Sequence, residues 1–406
     1  MRNRIKFAVV ICSTFLTAFL VIGALMSDSS AADGAYRQLS VYTEVLSRIK
    51  SEYVEEPDIK LVTRGALQGL LESLDPNSSY LTADQYKEYE KRKAGPNAGI
   101  GLVVSKRFGY VLVLSTVPGS PAAKAGLVVG DLLEAVDGKA TRDLPLPMIQ
   151  VMLNGAPESS VNLVVRRSRR AEEPQELTLA RAAVALPAVT HRLMSDKVGY
   201  LEVKGLTAGK AAEASRAVRE LIGQGAERLV VDLRNNASGD LQEGVKLANL
   251  FIENGLLASL EGQKFPRKDF NADPRQVAAP SLPLVVITNR STAGPAELAA
   301  AAIVDRQRGQ IVGEKTFGLA AEQKTILLED GSAIILSIAK YRRPAGKAIQ
   351  DGGVNPTLLV SEADSELTSD DDNAPPPHQQ EKPAQEDELL KKAIEVVKGA
   401  ALKAAA

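Results

Sequence analysis

Apolar and polar positions change period several times along the chain. The run Phe7 to Met26 carries no charge, follows Arg2, Arg4 and Lys6, and is about long enough to cross a hydrocarbon core as a helix. From Tyr36 to Lys93 apolar residues recur at helical spacing, as in Leu39, Tyr42, Val45, Leu46 and Ile49, then Leu67, Leu70 and Leu71, which predicts a helical region. A Gly/Pro break at 94–98 is followed by alternation around Gly101 to Val104 and Val111 to Ser115. With a helix near Ser120 to Ala125 and a strand at Leu132 to Val136, this predicts a compact β-rich module.

Beyond Val198, strands at Gly199 to Val203, Leu229 to Leu233 and Leu282 to Thr288 alternate with helices at Ala211 to Gly223, Leu241 to Ile252 and Ala296 to Asp305. Such alternation predicts an α/β layered domain. Glu362 to Asp387 is acidic and rich in Pro and Gln, the composition of a disordered linker. Leu389, Leu390, Ile394 and Val397 then mark an amphipathic helix that docks back on the body or binds a partner. The expected division is 1–35 address segment, 36–93 helical region, 94–175 β-rich module, 176–361 α/β domain, 362–387 linker and 388–406 terminal helix.

Composition narrows the function. With 45% apolar and 24% charged residues, the chain is neither wholly disordered nor collagenous nor a polytopic membrane protein. Its 49 Lys+Arg against 50 Asp+Glu give no bulk electrostatic case for a nucleic-acid partner. The single cysteine, Cys12, excludes an intrachain disulfide and a multi-cysteine zinc site. Lying inside the apolar run after Ile11, it reads as a membrane-embedded thiol rather than a lipid-attachment site. The two histidines, His191 and His378, read as a packing or surface residue and a solvated linker residue. No metal or cofactor is expected.

Positive charge before the apolar run holds the N-terminus in the cytoplasm and places the rest of the chain outside. The expected location is therefore the cell envelope, periplasmic or extracytoplasmic, at the inner membrane. The run is longer than the stretch of about 7–15 residues in a cleavable signal peptide, which favours an uncleaved anchor. Ser30-Ala31-Ala32 keeps cleavage open.

Gly99-Ile100-Gly101-Leu102 opens the β-rich module, and Pro118-Gly119-Ser120-Pro121-Ala122-Ala123-Lys124-Ala125-Gly126-Leu127 with Gly130-Asp131 continues it. Together these segments resemble a PDZ domain. The resemblance implies that Gly99, Ile100, Gly101 and Leu102 turn backbone N–H groups toward a peptide's terminal carboxylate while the peptide adds a strand to the sheet edge.

Further segments extend the likeness over nearly all of the chain beyond the address segment: Leu74-Asp75-Pro76-Asn77-Ser78-Ser79-Tyr80-Leu81, Val231-Asp232-Leu233-Arg234-Asn235-Asn236, Val312-Gly313-Glu314-Lys315-Thr316-Phe317-Gly318 and Tyr341-Arg342-Arg343-Pro344-Ala345-Gly346-Lys347. With the PDZ module they resemble the carboxyl-terminal processing, or tail-specific, serine protease family. The resemblance implies a ClpP/crotonase-like α/β protease core with an inserted PDZ domain, and a Ser-Lys dyad whose lysine is oriented by a glutamine.

Carried over residue by residue, however, the dyad is missing. The nucleophile position is Gly294 in Thr292-Ala293-Gly294-Pro295-Ala296-Glu297, and the base position, 25 residues on, is Leu319. Gln323 matches the assisting glutamine and has no lysine to orient. The oxyanion-hole positions are Gly239 and Pro295, and proline has no N–H to donate. It also biases residue 294 toward an extended backbone.

Ser291 and Thr292, with Lys315 and Lys324, are the residues from which a rewired dyad would have to be built. Asp232 and Arg234 read as a structural pair. The expected function is thus a non-catalytic binding or regulatory pseudoprotease that engages C-terminal tails of envelope proteins, alone, as a homo-oligomer or in a mixed assembly with an active relative. The alternatives are an active serine-type endopeptidase and a purely structural envelope protein without affinity for free tails.

Overall fold

The computed structural model of the protein describes residues 30–95, 98–168, 173–361 and 387–404. The apolar run at 7–26, Cys12, His378 and the acidic segment at 362–386 lie outside the described residues. Among the described residues no helix is long and apolar enough to cross a membrane.

The chain forms two units, Met1–Leu67 and Gln68–Ala406. Within the first, the helix Ser30–Glu52 leaves Leu39, Tyr42 and Val45 exposed.

Among the described residues the second unit has three large sheets and a two-stranded one, Ala98–Gly99 with Asn154–Gly155. Its central sheet runs Thr190–Leu193, Val198–Glu202, Arg228–Asp232, Leu284–Thr288, Gln310–Gly313 and Leu358–Leu359 in spatial order. The first pair is antiparallel and the rest are parallel. Side chains alternate across a strand, and both faces are covered here, so the middle positions of the inner strands are apolar on both faces. Leu229, Val231, Leu284, Val286 and Ile311 face a core shared with the helices Lys210–Gly223, Leu241–Asn249 and Pro295–Asp305. Val198, Val230, Val285, Ile287 and Val312 face the other way, against Leu389, Leu390, Ala393 and Val397 of the terminal helix Glu388–Ala404. That helix docks back on the body, one of the two fates its amphipathic pattern allowed. Arg234 secures the junction, bonding both Asp232 and Asp387.

A second sheet went unforeseen in the sequence pattern. Ala333–Arg342 pairs antiparallel with Ala321–Leu327, Leu256–Glu261 and Ser79–Leu81, and Lys268–Asn271 extends it. The region 36–93 is therefore not wholly helical. Buried Asp75 accepts N–H bonds from Asn77 and Ser78, both at 2.8 Å, and the Ser78 hydroxyl. The resulting turn ends the helical phase and delivers a strand too short to show a period.

The third sheet is the β-rich module, ordered Leu102–Arg107, Tyr110–Thr116, Leu132–Val136, Ser160–Arg166 and Gln175–Ala180. The last strand carries the module past the boundary expected at 175, because Leu177 and Leu179 still pack against its core. Leu146–Leu153 adds a nearly all-buried helix that the sequence pattern did not single out.

Candidate active-site cleft

Three of the parallel strands, Arg228–Asp232, Leu284–Thr288 and Gln310–Gly313, end on the same side, and the loops leaving them converge. Clefts outside the carboxyl ends of parallel strands are the usual ligand sites of such sheets. Here the cleft holds about 230 Å³ and gathers Gly239, Gly294, Pro295, Leu319 and Gln323, the five positions singled out in the sequence. Asn77 and Gln150, which the sequence did not nominate, complete its polar lining. None of its lining residues carries an ionisable side chain.

Gly294 caps the helix Pro295–Asp305 at φ 61°, ψ −119°. This departs from the extended backbone expected before proline. The pre-proline restriction acts partly through Cβ, and glycine has none. Proline at the first helical position fits well, since that N–H has no helical partner in any case. The helix itself is buried on all sides, and its run Ala299 to Ala302 lets it pack tightly. A Cβ on Gly294 would meet only the Leu319 carbonyl, at 3.5 Å. Position 294, where the resemblance expects a nucleophile, thus has open space for a side chain beside the Leu319 backbone.

Glu297, one turn into the helix and fully buried, holds these two loops together. Its Oε2 accepts the N–H of Gly294 at 2.9 Å and of Leu319 at 2.7 Å. Its Oε1 accepts the N–H of Gly318 at 2.7 Å and the Thr316 hydroxyl. Burial raises its carboxyl to about 6, with the four donors opposing the shift. Sequence reasoning missed this residue; its only signal is the acid placed three residues after a helix cap.

Leu319 belongs to an apolar cluster with Phe317, Ala237 and Ala293, which Val103 and Leu114 complete from the β-rich module. Arg107 of that module donates to the Phe317 carbonyl at 3.0 Å and lies over its ring at 4.2 Å. Leu319 is therefore an apolar anchor between module and core. Gln323 donates to the Asn77 carbonyl at 2.8 Å.

Gly239, the other position expected for an oxyanion hole, is held by its neighbours. Leu206 bonds the Ser238 carbonyl and the Asp240 N–H on either side of Gly239, and Gly239 sits at φ 130°, where a Cβ would strike Leu206. Its N–H has no protein acceptor among the described residues. The substitutes for a dyad are not brought together. Thr292 donates its hydroxyl to the Leu233 carbonyl at 2.9 Å. The Ser291 hydroxyl is buried with no hydrogen-bond partner among the described residues, hence without a base. Lys315 and Lys324 are exposed. His191 pairs at the surface with Glu220 at 3.0 Å.

In the glycine-framed loop, the Gly99 N–H is already donated to the Ala182 carbonyl at 2.9 Å. That N–H, expected to face a peptide carboxylate, is thus occupied within the protein, and the Ile100 side chain belongs to the module's core. The strand Leu102–Arg107 that follows is one of the two edge strands of its sheet.

Residues 197–360 match Peptidase family S41, and residues 112–167 match the PDZ domain. The chain is 32% identical over 345 residues to the chloroplastic C-terminal processing peptidase of Tetradesmus obliquus, covering 80% of this chain and 74% of that one. The chain belongs to peptidase family S41. To the carboxy-terminal-processing protease of Bartonella bacilliformis it is 28% identical over 359 residues, 87% of this chain and 82% of the other. Among solved structures, a photosystem II D1 C-terminal processing protease superposes with a TM-score of 0.65 at 29% identity, covering 79% of this chain and 92% of that one. The S41 match spans the parallel strands of the central sheet and the loops that leave them for the cleft, while the PDZ match falls within the β-rich module.

Proposed function

We propose that this S41 chain binds protein C-terminal tails and does not cleave them. The observation that carries the reading is the cleft between Gly294 and Leu319, whose lining has room for a nucleophile and supplies neither a hydroxyl nor an amine. Pro295 withholds the donor that the family draws from the residue after its nucleophile. Tail binding is supported by the PDZ domain, with its glycine-framed loop ahead of an edge strand, and by the C-terminal processing named for its relatives. We place the protein in the cell envelope, anchored by the apolar run at 7–26. A reporter fused after Ala406 that works only outside the cytoplasm tests that placement, and one active in the cytoplasm overturns it.

Tail binding is tested with fluorescent peptides ending in apolar residues, prepared as free acid and as amide. The free acid binds, the amide binds more weakly, and both are recovered intact. Equal affinity for acid and amide removes the carboxylate from the recognition. Absence of binding to either removes tail capture itself and leaves a purely structural role.

A further inference from the structure

At the end of the central sheet opposite the cleft, where Leu284–Thr288 and Gln310–Gly313 begin, Arg306 and Arg308 border a second depression of about 180 Å³. Arg308 is held by three backbone carbonyls: Nε donates to Phe251 at 2.8 Å, and Nη2 to Ala279 at 2.7 Å and Leu282 at 2.8 Å. No carboxylate pairs with it among the described residues, and burial lowers its pKa with no acidic neighbour opposing. Its Nη1 takes no protein acceptor among the described residues and is not sealed from the surface.

Arg306 is positioned separately. Nη2 donates to the Asn254 carbonyl at 3.2 Å. Gly255 leaves space that any Cβ would take, since one built there would stand 2.3 Å from Nη2. Two guanidinium groups therefore border one depression, and Glu253, exposed and without an ion pair among the described residues, is the one carboxylate beside them. The balance is one net positive charge. A role for Arg308 as a clamp on three loops accounts for its Nε and Nη2, but neither for Nη1 nor for a second arginine fixed at the same place.

We propose that Arg306 and Arg308 form a binding site for a small phosphate-type oxyanion, either inorganic phosphate or a phosphomonoester. Guanidinium groups match such oxyanions in geometry and charge. This site is independent of tail binding and lies away from the cleft.

The test is titration of the full chain with inorganic phosphate, and in a second arm with glycerol phosphate, followed by calorimetry at constant ionic strength set with chloride. Saturable binding is expected in at least one arm, and the tighter arm identifies the source. Arg306→Ala weakens it at least tenfold, whereas Glu253→Gln, by removing the competing carboxylate, tightens it several-fold. Both side chains are exposed, so both variants are expected to fold, and Glu253→Gln decides alone if Arg306→Ala does not. Heats no larger than those of added chloride overturn the proposal. So does phosphate binding that Glu253→Gln leaves unchanged.

Discussion

The carbonyl of Leu319 lies 3.5 Å from where a Cβ on Gly294 would stand, so two residues that cannot react with each other are neighbours in one cleft. This relationship makes the cleft open to dissection by substitution, at the cost of backbone strain at residue 294. Gly294 pays for the geometry in generality: at φ 61° a side chain is strained by about 1–3 kcal/mol. Gly294→Ser is therefore expected to lower the urea midpoint without changing the m-value, and an unchanged midpoint contradicts the strained backbone.

Leu319→Lys removes an apolar anchor between the PDZ domain and the core and puts a charge beside Phe317, Val103 and Leu114. Loss of stability of about 2 kcal/mol is expected, by analogy with the cost of truncating buried leucines. Leu319→Met, which keeps volume and polarity, costs less than about 1.5 kcal/mol. Equal stability of the two variants by denaturant unfolding denies the anchor.

Glu297→Gln replaces one acceptor oxygen with an amide that faces donors. Whichever way it turns, the NH2 meets either the Gly294 and Leu319 N–H pair or the Gly318 N–H and Thr316 hydroxyl. Unmatched buried polar groups cost about 1–3 kcal/mol each, so the variant is expected to unfold at clearly lower denaturant, with hydrogen exchange accelerated at Gly294, Gly318 and Leu319. Unaltered exchange at these amides refutes the clamp.

The same carboxylate carries a pH signature. Its pKa is raised by burial from the ordinary 4.5 to about 6, so the folded state holds this proton more tightly than the unfolded state. The contribution is fully present below about pH 4.5 and is lost as pH rises through about 6, an amount near 2 kcal/mol at about 1.4 kcal/mol per pH unit of separation. Other carboxylates, such as Asp387 held low by Arg234, slope the opposite way. The difference between wild-type and Glu297→Gln stability profiles from pH 4 to 7 isolates the effect, and a flat difference contradicts it.

Much of this arrangement was legible from the sequence where side chains decide it locally. Leu229 to Val231 is apolar at every position because helices cover both faces, and the alternation of such strands with helices identified the central sheet. Five cleft positions came from motif resemblance. Ser79–Leu81 stayed hidden because three residues show no period, and Leu146–Leu153 because its run is apolar on nearly every face. Glu297 reads as a helix-start acid. Its role depends on a loop that begins 19 residues later in the chain, at Thr316, and no local pattern announces that contact. The backbone of Gly294 was misread for a related reason: the rule for residues before proline assumes a Cβ.

The lack of proteolysis is tested most directly by comparing cleavage of one unfolded substrate with a free apolar C-terminus by the native protein and by the variant carrying Gly294→Ser, Pro295→Ala and Leu319→Lys. A nucleophile and base without the returned N–H remain very weak, since one oxyanion donor is worth about 10²–10³ in rate. The expected result, read by mass spectrometry of the products, is no cleavage above a blank by the native protein, and any recovered activity mainly in the triple variant. Cleavage by the native protein that Ser291→Ala or Thr292→Ala abolishes contradicts the account.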